Sequence, residues 1–211
     1  IALRGYRAAA TGFSDEAAEY EERLEGVPIA IGADRVASVA QIEPPPELLV
    51  LDDGFQHRRV HRDLDVVLID ASRSGLDRPM LPAGPRREPC SALRRADVVI
   101  VTRSTGVDRA LSDLIEHHHG RPPLAWTRHR WTSVLEYRDG KKAELAIEQL
   151  RGRRLATLFG VGNPASIRDA VEAAGSEIVH DEPARDHAAY DAASVSRLVV
   201  AARAAGADAV I

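Results

Sequence analysis

The chain has 211 residues, of which 45% are hydrophobic and 28% charged, with a net charge of −4 and a single cysteine, Cys90. This is the balance of an ordinary soluble globular protein with one large or two small domains. The charge gives no reason to expect a nucleic-acid partner, one cysteine excludes an internal disulfide framework, and no apolar run approaches the ~20 residues that a membrane-spanning helix needs.

The first half of the chain predicts helices and strands in alternation. Its strands are nearly continuous apolar runs, the pattern of strands buried on both faces of a parallel sheet, and its helices carry apolar residues at helical spacing. In chain order these elements are a helix at Ser14–Glu25, strands at Glu47–Leu51, Val66–Ile69 and Val98–Thr102, and a helix at Asp108–His119. The consecutive histidines that close the last helix, His117, His118 and His119, spread around its axis, so we expect them at a solvated helix end.

The middle of the chain does not continue this alternation of helices and strands. Residues 132–145 form two half-polar runs joined across Asp139 and Gly140, a strong hairpin signal. We therefore predict a connector with a β-hairpin at residues 121–152, which follows a first α/β domain at 1–120.

The last third returns to alternation and predicts a second α/β domain at 153–211. Its elements are a strand at Leu155–Phe159, a helix at Pro164–Ala174, a strand at Glu177–His180, a helix at Ala192–Ala205 and a strand at Ala207–Ile211. Alternation of this kind indicates an α/β fold with right-handed crossovers. Because the chain opens on "IALRGYR" and stops at "GADAVI", both of which read as parts of strands, we expect a fragment of a longer protein.

The segment "LLVLDDGFQHRR", Leu48–Arg59, ends an apolar run on two adjacent aspartates. In open α/β sheets ligands bind beyond the carboxyl ends of the strands, and an acid after four apolar residues is typical of the strand that holds Mg²⁺ in P-loop nucleotide enzymes. Gln56, His57 and the arginines add polar and cationic groups, so the segment favours a polyanion site. The alternative is an ordinary turn, with one aspartate capping and the other solvated.

A long irregular loop follows the next strand and contains "LPAGPRREP", Leu81–Pro89. Two prolines and a glycine stiffen the chain around Arg86, Arg87 and Glu88, and such a loop can hold an acid and a guanidinium in place. A rigid surface turn without chemistry explains the composition equally well.

These segments together resemble tetraacyldisaccharide 4′-kinase, the enzyme that phosphorylates the lipid A precursor disaccharide. The pair "DDGFQH" and "LPAGP-RE-P" is specific to that family, and "RGYR", "SDEA", "FGVGNP" and "RDHAAYD" occur in the family's order. The resemblance implies a P-loop-kinase-like parallel sheet with helices on both faces and two α/β lobes joined by the hairpin connector.

Two departures from the family pattern stand out. Ala17 replaces the proline that usually follows the Asp-Glu pair, and no G-x-x-x-x-G-K-[ST] P-loop occurs in the chain. In the family the P-loop lies upstream of the "RGY" strand, and an amino-terminal membrane-associating helix precedes it. We therefore expect this chain alone to have little or no kinase activity, since the P-loop normally cradles the β- and γ-phosphates of the nucleotide.

The resemblance implies a catalytic pair in which Asp15 is the base for the sugar hydroxyl and His187 orients and shares its proton, in a cleft between the two lobes. Glu16 is a supporting candidate. Oxygen ligands for Mg²⁺ are expected from Asp52, Asp53, Gln56 and Glu88, since a hard cation takes such ligands. Candidates for the acceptor disaccharide and its phosphate are Tyr6, His57 and Arg86.

The expected reaction is ATP-dependent phosphorylation of the 4′-hydroxyl of the tetraacyldisaccharide 1-phosphate. The implied cofactors are ATP and Mg²⁺, and the implied partners are the lipid A precursor and, peripherally, the cytoplasmic face of a bacterial inner membrane, with no nucleic acid and no evident protein partner. Two alternatives remain: another P-loop phosphotransferase or ligase with the same strand-end acids, and a non-catalytic α/β nucleotide-binding module.

Overall fold

The computed structural model describes residues 1–3, 15–138, 140–161, 163–184 and 190–211, with only the backbone of residues 2, 3, 15, 16 and 18. It divides into two compact units, Ile1–His129 and Arg130–Ile211. Both units are built on parallel strands, which confirms the predicted α/β class. In the described ranges, no helix is both long and apolar enough to cross a bilayer.

The first unit contains two parallel sheets. Strands β1 (Ala2–Leu3) and β2 (Ala30–Ile31) form the smaller one. Strands β3 (Val66–Asp70), β4 (Val98–Thr102) and β5 (Ala125–Trp126) form the larger, in the order β3-β4-β5. Apolar residues of β3 and β4 pack with the helix Arg109–His119 around a core that includes Val99, Val101 and Ile115, all fully buried.

In its described residues this unit has the α-helices α1 (Asp15–Arg23), α2 (Arg35–Val39) and α3 (Arg109–His119). Helix α3 shows why its sequence predicted it so closely. The Asp108 carboxylate accepts a hydrogen bond from the Leu111 amide at 3.2 Å, and Gly120 ends the helix at a φ of 92°, a left-handed conformation that glycine adopts without strain. The predicted cap of α1, Ser14, lies outside the described residues.

One predicted strand is wrong. Residues 47–50 form no strand, and only Leu51 takes part in an isolated bridge. Leu48 is 80% exposed and Val50 52% exposed, which contradicts a buried strand. A strand forms only where a neighbour accepts its backbone hydrogen bonds, and no described segment does so here; Pro44–Pro46, just upstream, have no N–H to donate.

The second unit begins with an antiparallel hairpin of β6 (Ser133–Arg138) and β7 (Lys141–Ala146), as predicted. A parallel sheet follows, with β8 (Arg154–Phe159) between β10 (Ala209–Val210) and β9 (Glu177–Pro183). Helix α4 (Pro164–Ala173) joins β8 to β9, and α5 (Ala192–Ala204) joins β9 to β10. Central strand β8 is the most deeply buried, with Leu155, Ala156 and Thr157 almost inaccessible to solvent.

The predicted connector at 121–152 does not stand apart from the two units. Its first part supplies β5 to the sheet of the first unit, which extends to His129. Its hairpin belongs to the second unit, because Trp131, Val134 and Ile147 pack against the core formed by Leu150, Leu155, Phe159 and Val171. The first part of the segment therefore packs with the first unit, and its hairpin packs on the core of the second unit.

Candidate functional site

The segment Asp52–His57 forms successive tight turns in the first unit. Gly54 is buried, and a side chain there would bring a Cβ to 2.7 Å from the Leu51 Cβ, so only glycine fits. Asp53 has a φ of 46°, in the left-handed region. Phe55 packs against the core of the larger sheet and anchors the turn, which leaves the polar side chains around it directed away from that core.

The loop at 79–88 closes on itself. The Leu81 amide donates to the Arg86 carbonyl at 2.8 Å, and the Gly84 amide donates to the Met80 carbonyl at 3.0 Å. Gly84 is required sterically, because a Cβ there would collide with the Pro79 carbonyl. A 3₁₀ helix, Cys90–Arg95, follows and packs against α3. The loop is therefore fixed in shape and tied to the core.

The two loops meet through arginines and carboxylates. The Arg87 Nη1 lies 3.1 Å from the Asp53 Oδ2 and 3.4 Å from the Gln56 Oε1. Glu88 is bound on both sides, with the Arg95 Nη2 at 2.7 Å and the Arg58 Nη2 at 3.6 Å. The Arg95 guanidinium also stacks over Phe55, 4.5 Å from the ring centroid. We call these contacts the arginine–carboxylate cluster: Asp53, Gln56, Arg58, Arg87, Glu88 and Arg95.

Three of the four residues predicted to bind a metal, Asp53, Gln56 and Glu88, belong to this cluster. Their donor set suits a hard cation in kind, since the Asp53 and Gln56 oxygens already converge on one positively charged nitrogen. Asp52 is half-buried beside them. Within the described ranges, however, no three His, Cys, Asp or Glu side chains are grouped as a metal site would require, so a cation would have to displace the guanidinium of Arg87.

The residues predicted to bind the acceptor are less close together. His57 is half-buried, and its Nδ1 is buried without a hydrogen-bond partner among the described residues. Arg86 directs its Nη1 to the Cys90 Sγ, at 2.6 Å, whereas the neighbouring Arg87 makes the contact with Asp53. Of these two adjacent arginines, Arg87 therefore belongs to the cluster and Arg86 does not.

Sequence reasoning missed Arg35, the first residue of α2. Only 3% of its surface is exposed, and its Nη1 donates to the Asp53 carbonyl at 3.3 Å. Its Nε is buried with no partner in the described part of the chain. Among the described residues no carboxylate pairs with this guanidinium, and a buried guanidinium is unfavourable without one, so Arg35 marks a position where negative charge would be stabilised. The only sequence signal is an arginine after the N-cap Asp34, in a helix of small and apolar residues.

The catalytic residues implied by the resemblance stay untested. Tyr6 and His187 lie outside the described residues. Asp15 opens α1 and Glu16 follows it, but only their backbone is described. The strand-end Asp70 has an ordinary role: it caps a 3₁₀ turn by accepting from the Ser72 amide at 2.9 Å.

The histidine prediction is wrong for one residue. His117 is exposed, but His119 is buried, with 8% of its surface accessible. Its Nε2 lies 2.9 Å from the Ala96 carbonyl and its Nδ1 lies 3.0 Å from the Arg121 carbonyl. Position 119 falls on the face of α3 that packs against the 3₁₀ helix, so the imidazole links the helix end to the start of β4.

A second polar network lies in the sheet of the second unit. The Thr157 hydroxyl donates to the Asp181 Oδ1 at 2.5 Å, and the Arg168 Nη2 lies 2.7 Å from the Oδ2. Burial alone would raise the pKa of Asp181, but hydrogen bonds from Thr157 and Arg168, with the charges of Arg168 and His180, outweigh it and hold that pKa below its ordinary value. This network is structural in character, because it ties α4 to two strands.

Comparison with known proteins gives the site a context. Residues 4–211 match the family model described as LpxK, tetraacyldisaccharide-1-P 4′-kinase. A tetraacyldisaccharide 4′-kinase of Anaeromyxobacter dehalogenans strain 2CP-C is 40% identical over 202 residues, which cover 91% of this chain and 52% of that protein. One from Geobacter sulfurreducens is 38% identical over 196 residues, 92% of this chain and 53% of that protein. The chain thus spans about half the length of the curated relatives it matches.

A solved structure is also similar. It is a crystal structure of the "apo" form of LpxK from Aquifex aeolicus in complex with ATP, 24% identical in sequence. The similarity covers 76% of this chain and 48% of that one, with a TM-score of 0.47.

Proposed function

Since the chain belongs to the tetraacyldisaccharide-1-P 4′-kinase family, we propose that it is part of a kinase that transfers the γ-phosphate of ATP to the 4′-hydroxyl of the tetraacyldisaccharide 1-phosphate precursor of lipid A. One observation supports this most strongly. The family match spans both loops that carry the acidic and basic side chains, at 52–57 and 79–88. These loops meet in the arginine–carboxylate cluster of the first unit. The enzyme acts peripherally at the cytoplasmic face of the inner membrane, where its lipid acceptor resides.

The first unit supplies the phosphate chemistry. Asp52, Asp53, Gln56 and Glu88 would hold Mg²⁺, which when bound neutralises charge on the β- and γ-phosphates of ATP. Arg87 holds the Asp53 and Gln56 oxygens together before nucleotide arrives. Released from Asp53, its guanidinium can bind a phosphate in a bidentate manner. Arg87 therefore balances the negative charge of the carboxylates before nucleotide binds. After binding, Mg²⁺ would balance that charge, and Arg87 would balance the charge of a phosphate.

Acceptor activation needs a base for the sugar hydroxyl. Asp15, in the first turn of α1, takes the proton from the 4′-hydroxyl, and His187 orients that carboxylate and shares the proton, with Glu16 in support. Tyr6, His57 and Arg86 hold the disaccharide and its 1-phosphate. His57 has a buried Nδ1 with no partner in the described residues, which leaves it a hydrogen bond to offer a ligand.

The proposal is tested with the full-length protein by following phosphate transfer from γ-labelled ATP to the purified disaccharide. We expect transfer to the disaccharide but not to a variant acceptor that lacks the 4′-hydroxyl. The 211-residue chain alone should transfer little, because it has no P-loop sequence to cradle the phosphates. A different acceptor class, or strong transfer by the short chain, would contradict the proposal.

A further inference from the structure

The loop after β3 carries an exposed apolar tip, residues 79–83, with the sequence Pro-Met-Leu-Pro-Ala. All five are exposed, Leu81 to 62% and Met80 to 41% of their surface. Single exposed apolar residues are normal, but a contiguous run on a projecting loop marks an interaction surface. The tip lies immediately before Arg87 and Glu88, so whatever covers it also lies near the arginine–carboxylate cluster.

The apolar tip is held in a fixed shape. Three hydrogen bonds close it: from the Leu81 amide to the Arg86 carbonyl at 2.8 Å, from the Gly84 amide to the Met80 carbonyl at 3.0 Å, and from the Arg86 amide to the Pro79 carbonyl at 3.4 Å. Three prolines restrict the same segment, at 79, 82 and 85. Because the loop is already ordered, binding through it costs little conformational entropy.

Positive charge surrounds the tip. Arg78 and Arg94 are exposed, and Arg86 closes the loop. The Arg86 Nη1 lies 2.6 Å from the Sγ of Cys90, the first residue of the 3₁₀ helix that also carries Arg94. Burial, and then the charges of His117, Arg86 and Arg94, lower the pKa of His118 beside them. They come together because the 3₁₀ helix that carries Arg94 packs against α3. Asp77 is the only carboxylate in the sequence between Ser74 and Arg87.

We propose that the apolar tip inserts into the interfacial region of a bilayer with anionic headgroups, while the exposed Arg78 and Arg94 meet the headgroup phosphates. An apolar projection with a basic rim is the chemistry of an interfacial membrane contact. The proposal deepens the proposed function and rests on it in one respect: insertion of the tip places the cluster at the surface from which a lipid acceptor must be taken.

The test measures how the chain partitions onto vesicles in a sedimentation assay without disaccharide or ATP. Vesicles of phosphatidylcholine alone are compared with vesicles that also contain phosphatidylglycerol. Met80→Ser with Leu81→Ser should lower partitioning about tenfold, since two apolar side chains are lost from the interface. Val200→Ser, which changes an aliphatic residue that is 68% exposed in the second unit, is the matched control and should change little.

The rim is tested separately. Arg78→Gln and Arg94→Gln should each weaken binding to the anionic vesicles about fivefold, and leave binding to neutral vesicles unchanged. Raising the salt concentration should remove this difference, because it screens exposed charges. A Leu81→Trp variant gives a second readout: its emission should shift to the blue on binding and be quenched by brominated lipid. This fluorescence readout shows whether the tip inserts even if the double variant does not fold.

Several outcomes would overturn the proposal. They are equal partitioning of the chain and the double variant, equal binding to neutral and anionic vesicles, binding only when the disaccharide is present, and a change in oligomeric state of the double variant without vesicles, which would make the tip a protein contact. A failed kinase assay leaves all of these measurements interpretable, because none of them requires substrate turnover.

Discussion

Each unit of the molecule ties an aspartate to an arginine, but in contrasting settings. In the first unit, Asp53 and Arg87 are both about half exposed and lie 3.1 Å apart on two irregular loops. In the second, Asp181 lies within β9, 2.7 Å from Arg168 of α4, and accepts a further bond from the fully buried Thr157. The side chains of the first pair are about half exposed and those of the second about a third, so the pairs differ mainly in that a buried hydroxyl also holds Asp181 within a sheet.

The two pairs differ in how easily their partners can separate. An exposed ion pair contributes little to the free energy of unfolding, typically 0 to about 1 kcal/mol, so its partners can separate at little cost. A carboxylate with a hydroxyl donor in the core cannot exchange its partners so cheaply. We infer that Asp53 is placed for exchange with a ligand and Asp181 for holding the fold.

The largest expected effect concerns one residue in each unit. In the full-length protein, Asp15→Ala and His187→Ala should each lower kcat by about 10²–10⁴-fold, the usual contribution of a positioned base. The double variant should be barely worse than either single variant, because groups that serve one proton transfer are not additive. Steady-state kinetics with disaccharide and ATP varied separately measures this. Near-normal kcat in either single variant would assign the base to another group.

The second prediction tests Asp53 against Asp181 directly. Asp53→Asn in the full-length protein should lower activity about 10–100-fold, and higher Mg²⁺ should restore part of it, because a weakened metal site is offset by mass action. Its melting temperature should stay close to that of the parent. Asp181→Asn serves as the control and should leave kcat nearly unchanged. Equal loss of activity in both variants would remove the distinction between the two aspartates.

The third prediction concerns stability and pH. Asp181→Asn should lower the free energy of unfolding by about 1–2 kcal/mol, toward the lower end of the range for hydrogen bonds to a charged group, because the Asp181 side chain is 38% exposed and solvent screens its charge. Because the folded state lowers the pKa of Asp181, its contribution is fully present above the ordinary aspartate pKa and is lost as pH falls through the lowered value. Urea unfolding of the 211-residue chain from neutral to acid pH should therefore show the two proteins converging. A constant difference down to low pH would contradict this sign.

The last effect, on stability alone, is expected at a buried group that has no role in the site. His119→Leu should lower the free energy of unfolding by about 1–3 kcal/mol, because it leaves the Ala96 and Arg121 carbonyls without their partner. The exposed His117 supplies the matched change, His117→Leu, which should be nearly neutral. Thermal unfolding of both variants provides the comparison, and equal melting temperatures would show that the His119 contacts contribute nothing.

The elements that could be predicted from the sequence are those that local chemistry decides. Strands β3, β4 and β8 are mainly apolar runs, and α3 has an aspartate at its start and a glycine at its end, so their bounds agree with prediction to within a residue. Glu47–Leu51 has the same local pattern and forms no strand, because strand pairing depends on a neighbour that the local sequence does not encode.

The proximity of the two loops was predictable from the sequence, but their contacts were not. The two loops were identified by their acids, arginines and prolines, whereas the choice of Arg87 over Arg86 depends on how the closed loop directs successive side chains. Arg35 and His119 were missed for a related reason: both are polar residues whose burial follows from packing by distant segments. Their partners are backbone carbonyls, and a carbonyl leaves no residue-specific signal in a sequence.

The central claim is that the first-unit loops belong to a kinase acting on an acylated disaccharide. The most direct test is transfer of labelled phosphate from ATP to tetraacyldisaccharide 1-phosphate by the full-length protein, with Asp53→Asn and Asp181→Asn measured side by side across Mg²⁺ concentrations. We predict transfer to the 4′-hydroxyl that depends more steeply on Mg²⁺ in Asp53→Asn alone. Absence of transfer by the parent protein, or identical Mg²⁺ dependence in all three proteins, would contradict it.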